Sequence, residues 1–297
     1  MVGATEMEKQ DSIVDSKTTD FDRDETAVTK GPGQSSLMEQ ASTMVVYASI
    51  VTFACMFFNP PVVDPELFQN DYELLKAIKN SPYFIISHLL QFAASVAIFC
   101  GILTFSLIIL GVVKVEQWQG KATAREQLLA VLFIGVGVVG SNVVSNFLIV
   151  DGFGLMEVAL RWFSQDMTAT EVVTNSSEVM AIDNGYVATM MIFWVGLTPF
   201  LFAILLKSVH PPLALAANTT MVFSTLSFLA GIGYSIIFFT EFITLSEGNE
   251  DMTPYYQVTS FMFACSGLTI LAVGNVARLM GKAAREARLT GIPIRGR

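Results

Sequence analysis

The sequence predicts an all-α protein: a polytopic transmembrane helical bundle of about six spans, with short amphipathic surface helices. Three observations carry this reading. Charged residues are 14% of 297, against about 25% in an ordinary soluble domain. Hydrophobic residues are 53%, with 23 Phe, and the mean hydropathy is +0.56. The charges are also segregated, which leaves six long apolar stretches. A soluble chain of this length could not cover its surface with so few charges. The net charge of −9 disfavours nucleic acid, because neutralising phosphate needs Lys and Arg. The expected partners are the lipid bilayer and other proteins of a membrane complex.

Residues 1–36 hold eight acids, four bases and one aromatic, Phe21, and finish in a Gly-Pro-Gly-Gln-Ser-Ser run. Such a segment buries too little apolar surface to offset its ordering entropy, so a disordered acidic tail is expected. It has no apolar h-region, so a secretory signal peptide is not expected. Residues 37–282 are read as the six-span bundle and 283–297 as a basic cytoplasmic tail.

The apolar stretches are 44–58, 82–113, 128–150, 187–206, 219–239 and 258–271. The first is short and spans only with polar neighbours near Ser42 or beyond Asn59. The others approach or exceed the ~20 residues that cross ~30 Å of hydrocarbon. Stretch 82–113 would be about 48 Å long, so it must tilt, bend or protrude.

Lys and Arg set the expected orientation. Lys114, Lys121 and Arg125 follow span two, and Lys207 and His210 follow span four. Arg278, Lys282, Arg285, Arg288, Arg295 and Arg297 follow span six. The alternate loops hold only Lys76, Lys79 and Arg161 against fourteen acids. Both termini are therefore expected in the cytoplasm, with an acidic outer face. The acidic N-terminal tail runs against the pattern, but acids weigh little in the rule. Tyr83, Tyr186, Tyr255 and Tyr256 stand at outer span ends and Trp118 near the inner ends, where amphipathic rings prefer the headgroups.

Helix starts are marked. Asp64-Pro65-Glu66 and Ser81-Pro82 read as caps with Pro at the first helical position. Thr123–Glu126 and Thr168–Glu171 read as capping boxes. His210-Pro211-Pro212 opens span five and Thr253-Pro254 opens span six. Pro199 is expected to kink span four. Leu67, Phe68, Tyr72, Leu75 and Ile78 share one face, as do Leu155, Val158, Ala159, Trp162 and Phe163. These predict two surface helices, the second over 154–165. Ala93, Ala97 and Gly101, and Gly137, Ser141 and Ser145, are small residues spaced for close helix packing.

Polar groups inside a membrane are costly, so they are the candidate functional residues. His88, Gln91 and Ser95 descend one face of span two. Asn142 and Asn146 share a face of span three, which Asp151 is expected to terminate. Tyr234 and Glu241 share a face of span five, with Ser260 at similar depth. All fall in the outer half. One expectation is a ligand-binding pocket of His88, Gln91, Asn142, Asn146, Tyr234 and Glu241, with Asp151 and Glu157 at its mouth. The other is interhelical hydrogen bonding, worth only about 0.6 kcal/mol per contact.

No catalytic residue, metal site or cofactor is expected. The two histidines, His88 and His210, fall on opposite sides. Cys55, Cys100 and Cys265 are isolated and read as small apolar residues. There is no P-loop and no GxGxxG. Asn175-Ser176-Ser177 is a glycosylation sequon in an expected outer loop.

Ser87-His88-Leu89-Leu90 and Val150-Asp151-Gly152-Phe153 resemble a bacterial-type group of multi-pass membrane proteins of unknown function. These have a His near the start of an early helix and a V-D-G-F-like turn before an amphipathic helix. The resemblance covers about residues 80–280. It implies a compact helical bundle and supplies no activity. The acidic tail and the first surface helix are not part of the pattern.

The function expected from all this is a subunit of a membrane assembly, or a binder of a hydrophobic or neutral ligand in an outer-half pocket. Two alternatives stay open. One is a proton- or cation-coupled transporter or channel that titrates His88 and Glu241. The other is a membrane enzyme acting on a lipid-like substrate.

Overall fold

The computed structural model describes residues 36–59, 71–165, 167–244 and 253–294. The acidic tail and the Asp64-Pro65-Glu66 cap lie outside these residues, as do Leu67 and Phe68. Among the described residues there is no strand, and six helices are long and apolar enough to cross a membrane.

Helix α1 (Leu37–Met56) starts earlier than hydropathy suggests. Ser36 and Glu39 form a capping box: the Ser36 hydroxyl accepts from the Glu39 N–H at 3.3 Å, and the Glu39 carboxylate accepts from the Ser36 N–H at 3.4 Å. The polar residues this draws into the span find backbone partners. Ser42 donates to the Ala277 carbonyl at 2.7 Å and Thr43 to the Glu39 carbonyl at 2.8 Å.

Helix α2 (Asp71–Asn80) and helix α5 (Leu155–Phe163) are the expected surface helices. Leu74, Leu75 and Ile78 pack with Leu155, Val158, Ala159 and Phe84 in a small second core. Helix α3 (Phe84–Ile109) begins after Tyr83, which makes no side-chain cap. Ser81-Pro82 therefore does not cap it. The helix gives way at Gly111, whose φ of +75° is open to glycine at low cost.

Helix α4 (Ala124–Ile149) opens on the Thr123–Glu126 capping box. Asp151 does not terminate the span. Residues Val150–Gly154 form a π-helical turn, and the helical path continues into α5. Helix α6 (Ala169–Met190) opens on the Thr168–Glu171 capping box. The expected cap helix and span four are one helical path: α6 runs through a π-helical stretch, Met191–Leu197, into α7 (Thr198–Val209). Pro199 stands just after that stretch. A wide turn absorbs the missing N–H that would otherwise kink the helix, and the Thr198 hydroxyl donates to the Phe193 carbonyl at 2.7 Å.

A short 3-10 turn, Pro211–Leu213, leads to α8 (Ala214–Thr244), and α9 spans Thr253–Thr290. The basic tail is thus helical well past residue 282. Arg288 makes two bonds to Glu39, at 2.8 and 3.2 Å, tying the end of α9 to the start of α1. Beyond it, Ile294 is buried and its N–H donates to the Gln117 carbonyl at 3.0 Å.

Helix α1 packs on α9 and α3, and α8 packs on α9 and α7. Glycines allow the closest approaches. A Cβ at Gly274 would stand 2.9 Å from Ser49 Cβ, and one at Gly281 would stand 2.2 Å from Ser42 Oγ. The core near the α3–α4 loop is filled by rings: Phe202 lies 6.1 Å from Phe105 and 5.7 Å from Phe133, centroid to centroid.

Candidate functional site: a buried His–Asp pair beside two cavities

The spans deliver most polar candidates to one end of the bundle, the end with the acid-rich loops. His88 sits one turn into α3 and is 1% exposed. Its Nδ1 meets the Phe84 carbonyl at 2.8 Å, and its ring lies 4.3 Å from the Phe84 ring. Its Nε2 pairs with Asp151 Oδ2. A carbonyl only accepts, so Nδ1 carries a proton. One further proton lies between Nε2 and Oδ2. Wherever it sits, the pair is neutral overall.

The π-helical turn makes this pairing possible. It keeps Asp151 in the helical path and turns it onto α3. The next residue, Gly152, supplies the clearance: a Cβ there would stand 2.8 Å from His88 Cβ and 3.1 Å from Cγ. The two short motifs read separately in the sequence, Ser87-His88 and Val150-Asp151-Gly152, thus meet in one contact.

Two cavities flank the pair. The first, about 50 Å³, is lined by His88, Gln91, Ser95, Thr52 and Ser266, with Trp194, Met190 and Met191 as apolar walls. The second, about 30 Å³, is lined by Asp151, Asp183, Asn184, Tyr234 and Thr259. They share Asn59, Phe147 and Phe263. Each has room for water, which needs ~10–15 Å³ and several polar partners. A third cavity, about 20 Å³, lies toward the other end and is walled by Ile98, Ile102, Phe202 and Val273 among others. The polar lining therefore thins with depth.

Two oxygens in the second cavity stand out. Asp183 is 8% exposed and its Oδ1 has no hydrogen-bond partner among the described residues; the same holds for Asn59 Oδ1. Tyr234 is buried and donates to Asn184 Oδ1. Elsewhere Ser227 and Thr269 join two spans by a hydroxyl–hydroxyl bond of 2.9 Å.

The expected pocket is reached in part. His88 and Gln91 line the first cavity, Asp151 and Tyr234 the second. Asn142 and Asn146 line neither. They bond each other at 3.0 Å, with Asn142 on the exposed face of α4. Glu157 and Ser260 are exposed. The Glu241 side chain lies outside the described residues. Among the polar residues that line the cavities, Thr52, Asp183, Asn184, Thr259 and Ser266 are not candidates by sequence, and Asn59 enters there only as a span neighbour. Asp183 falls just outside the apolar stretch 187–206 that marks span four. Its spacing with Val187, Met190 and Trp194 places it on the buried face of that span.

Among the described residues, no group of three His, Cys, Asp or Glu gathers to hold a metal ion. At the surface, backbone and hydroxyl bonds from Thr168 hold the Glu171 carboxyl below its ordinary value.

The fold defines the class: an all-α, multi-pass integral membrane protein in contact with the bilayer. Comparison with protein-family models, curated proteins and solved structures finds no match.

Proposed function

We propose that this protein binds a small neutral or hydrophobic ligand in the outer half of its bundle, alone or as a subunit of a membrane assembly. In this reading both termini are cytoplasmic, which the Lys and Arg of alternate loops support. The carrying observation is the pair of adjoining cavities, with a polar edge of Thr52, Gln91, Ser95 and Ser266 against walls of Met, Phe and Trp. A few convergent polar groups in an apolar cavity is the usual make-up of a ligand site. The space as it stands suits water or a very small molecule. A larger ligand requires Met56, Met190 and Met191 to shift, and methionine side chains do so readily.

A mass-spectrometric inventory of the full-length protein in mild detergent tests this. The expected result is a copurifying small molecule that Gln91→Leu depletes. Protein free of any such molecule, from several expression hosts, would overturn it. The same inventory reveals a partner subunit.

A second reading, cation-coupled transport, is favoured by one observation. Asp183 lies in the cavity that Asp151 lines, its Oδ1 has no hydrogen-bond partner, and no Lys or Arg lines that cavity among the described residues. In this reading His88 and Asp183 are the titrating groups within the described residues, and the side chain of Glu241, expected from sequence to titrate with His88, lies outside them. Cation-dependent flux in proteoliposomes that Asp183→Asn abolishes would support this reading; unchanged flux would end it.

A further inference from the structure

The opposite end of the bundle carries a separate site. Between the first turns of α1 and the last turns of α9 lies an open groove of about 330 Å³, larger than either cavity described above. Arg278, Lys282 and Arg285 line it from α9. Their spacing, i, i+4 and i+7, puts all three on one helix face. The opposite wall is α1, with Thr43, Val46 and Tyr47. Gly281 forms the floor, and Ser42 presses against it.

The groove is electrically unbalanced. Its one acid, Glu39, is already engaged by Arg288 through two bonds. Among the described residues, Arg278 reaches only Asn275, at 3.0 Å, and no carboxylate lies within ion-pair distance of Arg278, Lys282 or Arg285. Three cations thus line a groove whose one acid among the described residues is already paired. Arg supplies a planar fork that matches phosphate oxygens, and Lys adds a mobile point charge. Tyr47 is 66% exposed on the same wall. Amphipathic rings of this kind prefer the headgroup level.

We propose that this groove binds a phosphate-type anion, whose natural source is the headgroup of an anionic phospholipid in the adjacent leaflet. The cations would hold the phosphate, while Val46 and Tyr47 flank the first methylenes of the chains. Basic pockets between spans are a recurrent setting for such headgroups. The proposal is independent of the ligand site at the acidic end, which shares no residue with it.

The test uses the full-length protein in nanodiscs of phosphatidylcholine, with and without phosphatidylglycerol, and in detergent with added inorganic phosphate. Retained lipid is read by native mass spectrometry and thermal stability by fluorescence. Phosphatidylglycerol is expected to be retained and to raise the melting temperature. The triple variant Arg278→Gln/Lys282→Gln/Arg285→Gln should lose about a hundredfold in affinity, at about fivefold per cation. A control removes the same charge from the same end outside the groove: Lys114→Gln/Lys121→Gln/Arg125→Gln. It should change affinity far less, because these side chains do not line the groove. Stabilisation by inorganic phosphate as well would make a free anion a second source for the same site. Equal losses in the two triple variants would reduce the effect to general surface charge and overturn the proposal, as would no preference for the anionic lipid.

Discussion

Removing one member of the His88–Asp151 pair should destabilise the bundle far more than removing both. His88 is 1% exposed and Asp151 6% exposed, so a lost partner leaves a buried polar group behind. Asp151→Val leaves His88 Nε2 facing an apolar side chain, while Nδ1 stays on the Phe84 carbonyl. If the imidazole sheds its extra proton, an orphaned buried ring nitrogen still costs about 1–3 kcal/mol. If it stays charged, the cost is about 3–5 kcal/mol. At roughly 2–4 °C per kcal/mol, the melting temperature should fall by about 10 °C. His88→Leu strands the carboxylate and should cost a similar amount. The double variant His88→Leu/Asp151→Val removes both polar groups at similar volume and should lie within about 1 kcal/mol of the parent. The assay is a double-mutant cycle on thermal unfolding in detergent, followed by tryptophan fluorescence. Two singles that each cost under about 1 kcal/mol, or a double as poor as their sum, would refute the coupling.

Three further expectations follow from close contacts and caps. Gly152→Ala places a Cβ 2.8 Å from His88 Cβ and should cost about 1–3 kcal/mol by overpacking, measured in the same unfolding assay. Gly281→Ala meets Ser42 Oγ at 2.2 Å and Ser42 Cβ at 2.5 Å. It should destabilise the α1–α9 contact by about 1–3 kcal/mol, and Ser42→Gly should restore much of the loss by removing the obstructing atoms. At the α6 cap, the Glu171 carboxyl is held below its ordinary value by Thr168. A carboxylate depressed in the folded state contributes stability above its unfolded pKa and loses it as pH falls through the folded value. The protection factors of amides at the start of α6 should therefore fall on acidification, and Glu171→Gln should abolish that dependence.

Much of the fold was legible because the bilayer imposes a coarse rule. Long charge-poor runs must be helices, and all six expected runs overlap the six observed spans. The failures have physical causes. Hydropathy missed the first turns of α1 because Ser42 and Thr43 look polar, although their hydroxyls are satisfied by backbone carbonyls. It broke spans three and four at Asp151 and before Val187, because polar residues in a continuous helix read as a loop. The two π-helical stretches leave no hydropathy signature. They arise from what Asp151, Gly152 and Pro199 require of their neighbours.

The candidate site was legible residue by residue but not as a constellation. His88, Gln91, Asp151 and Tyr234 stand out as polar groups at span depth. Which of them meet depends on helix rotation. Asn142 and Asn146 share a face, as their spacing demands, but that face is turned away from both cavities. Asp183 and Asn59 were hidden by span boundaries drawn a few residues short.

Access to Gln91 tests the central claim most directly, that the polar cavity beside His88 serves the outer side. The protein, with Cys55, Cys100 and Cys265 replaced by alanine and Gln91→Cys introduced, is placed in sealed vesicles of known sidedness. A membrane-impermeant thiol reagent should modify position 91 from the outer face and leave it untouched from the inner face. Modification from the inner face, or from neither face, would contradict the account.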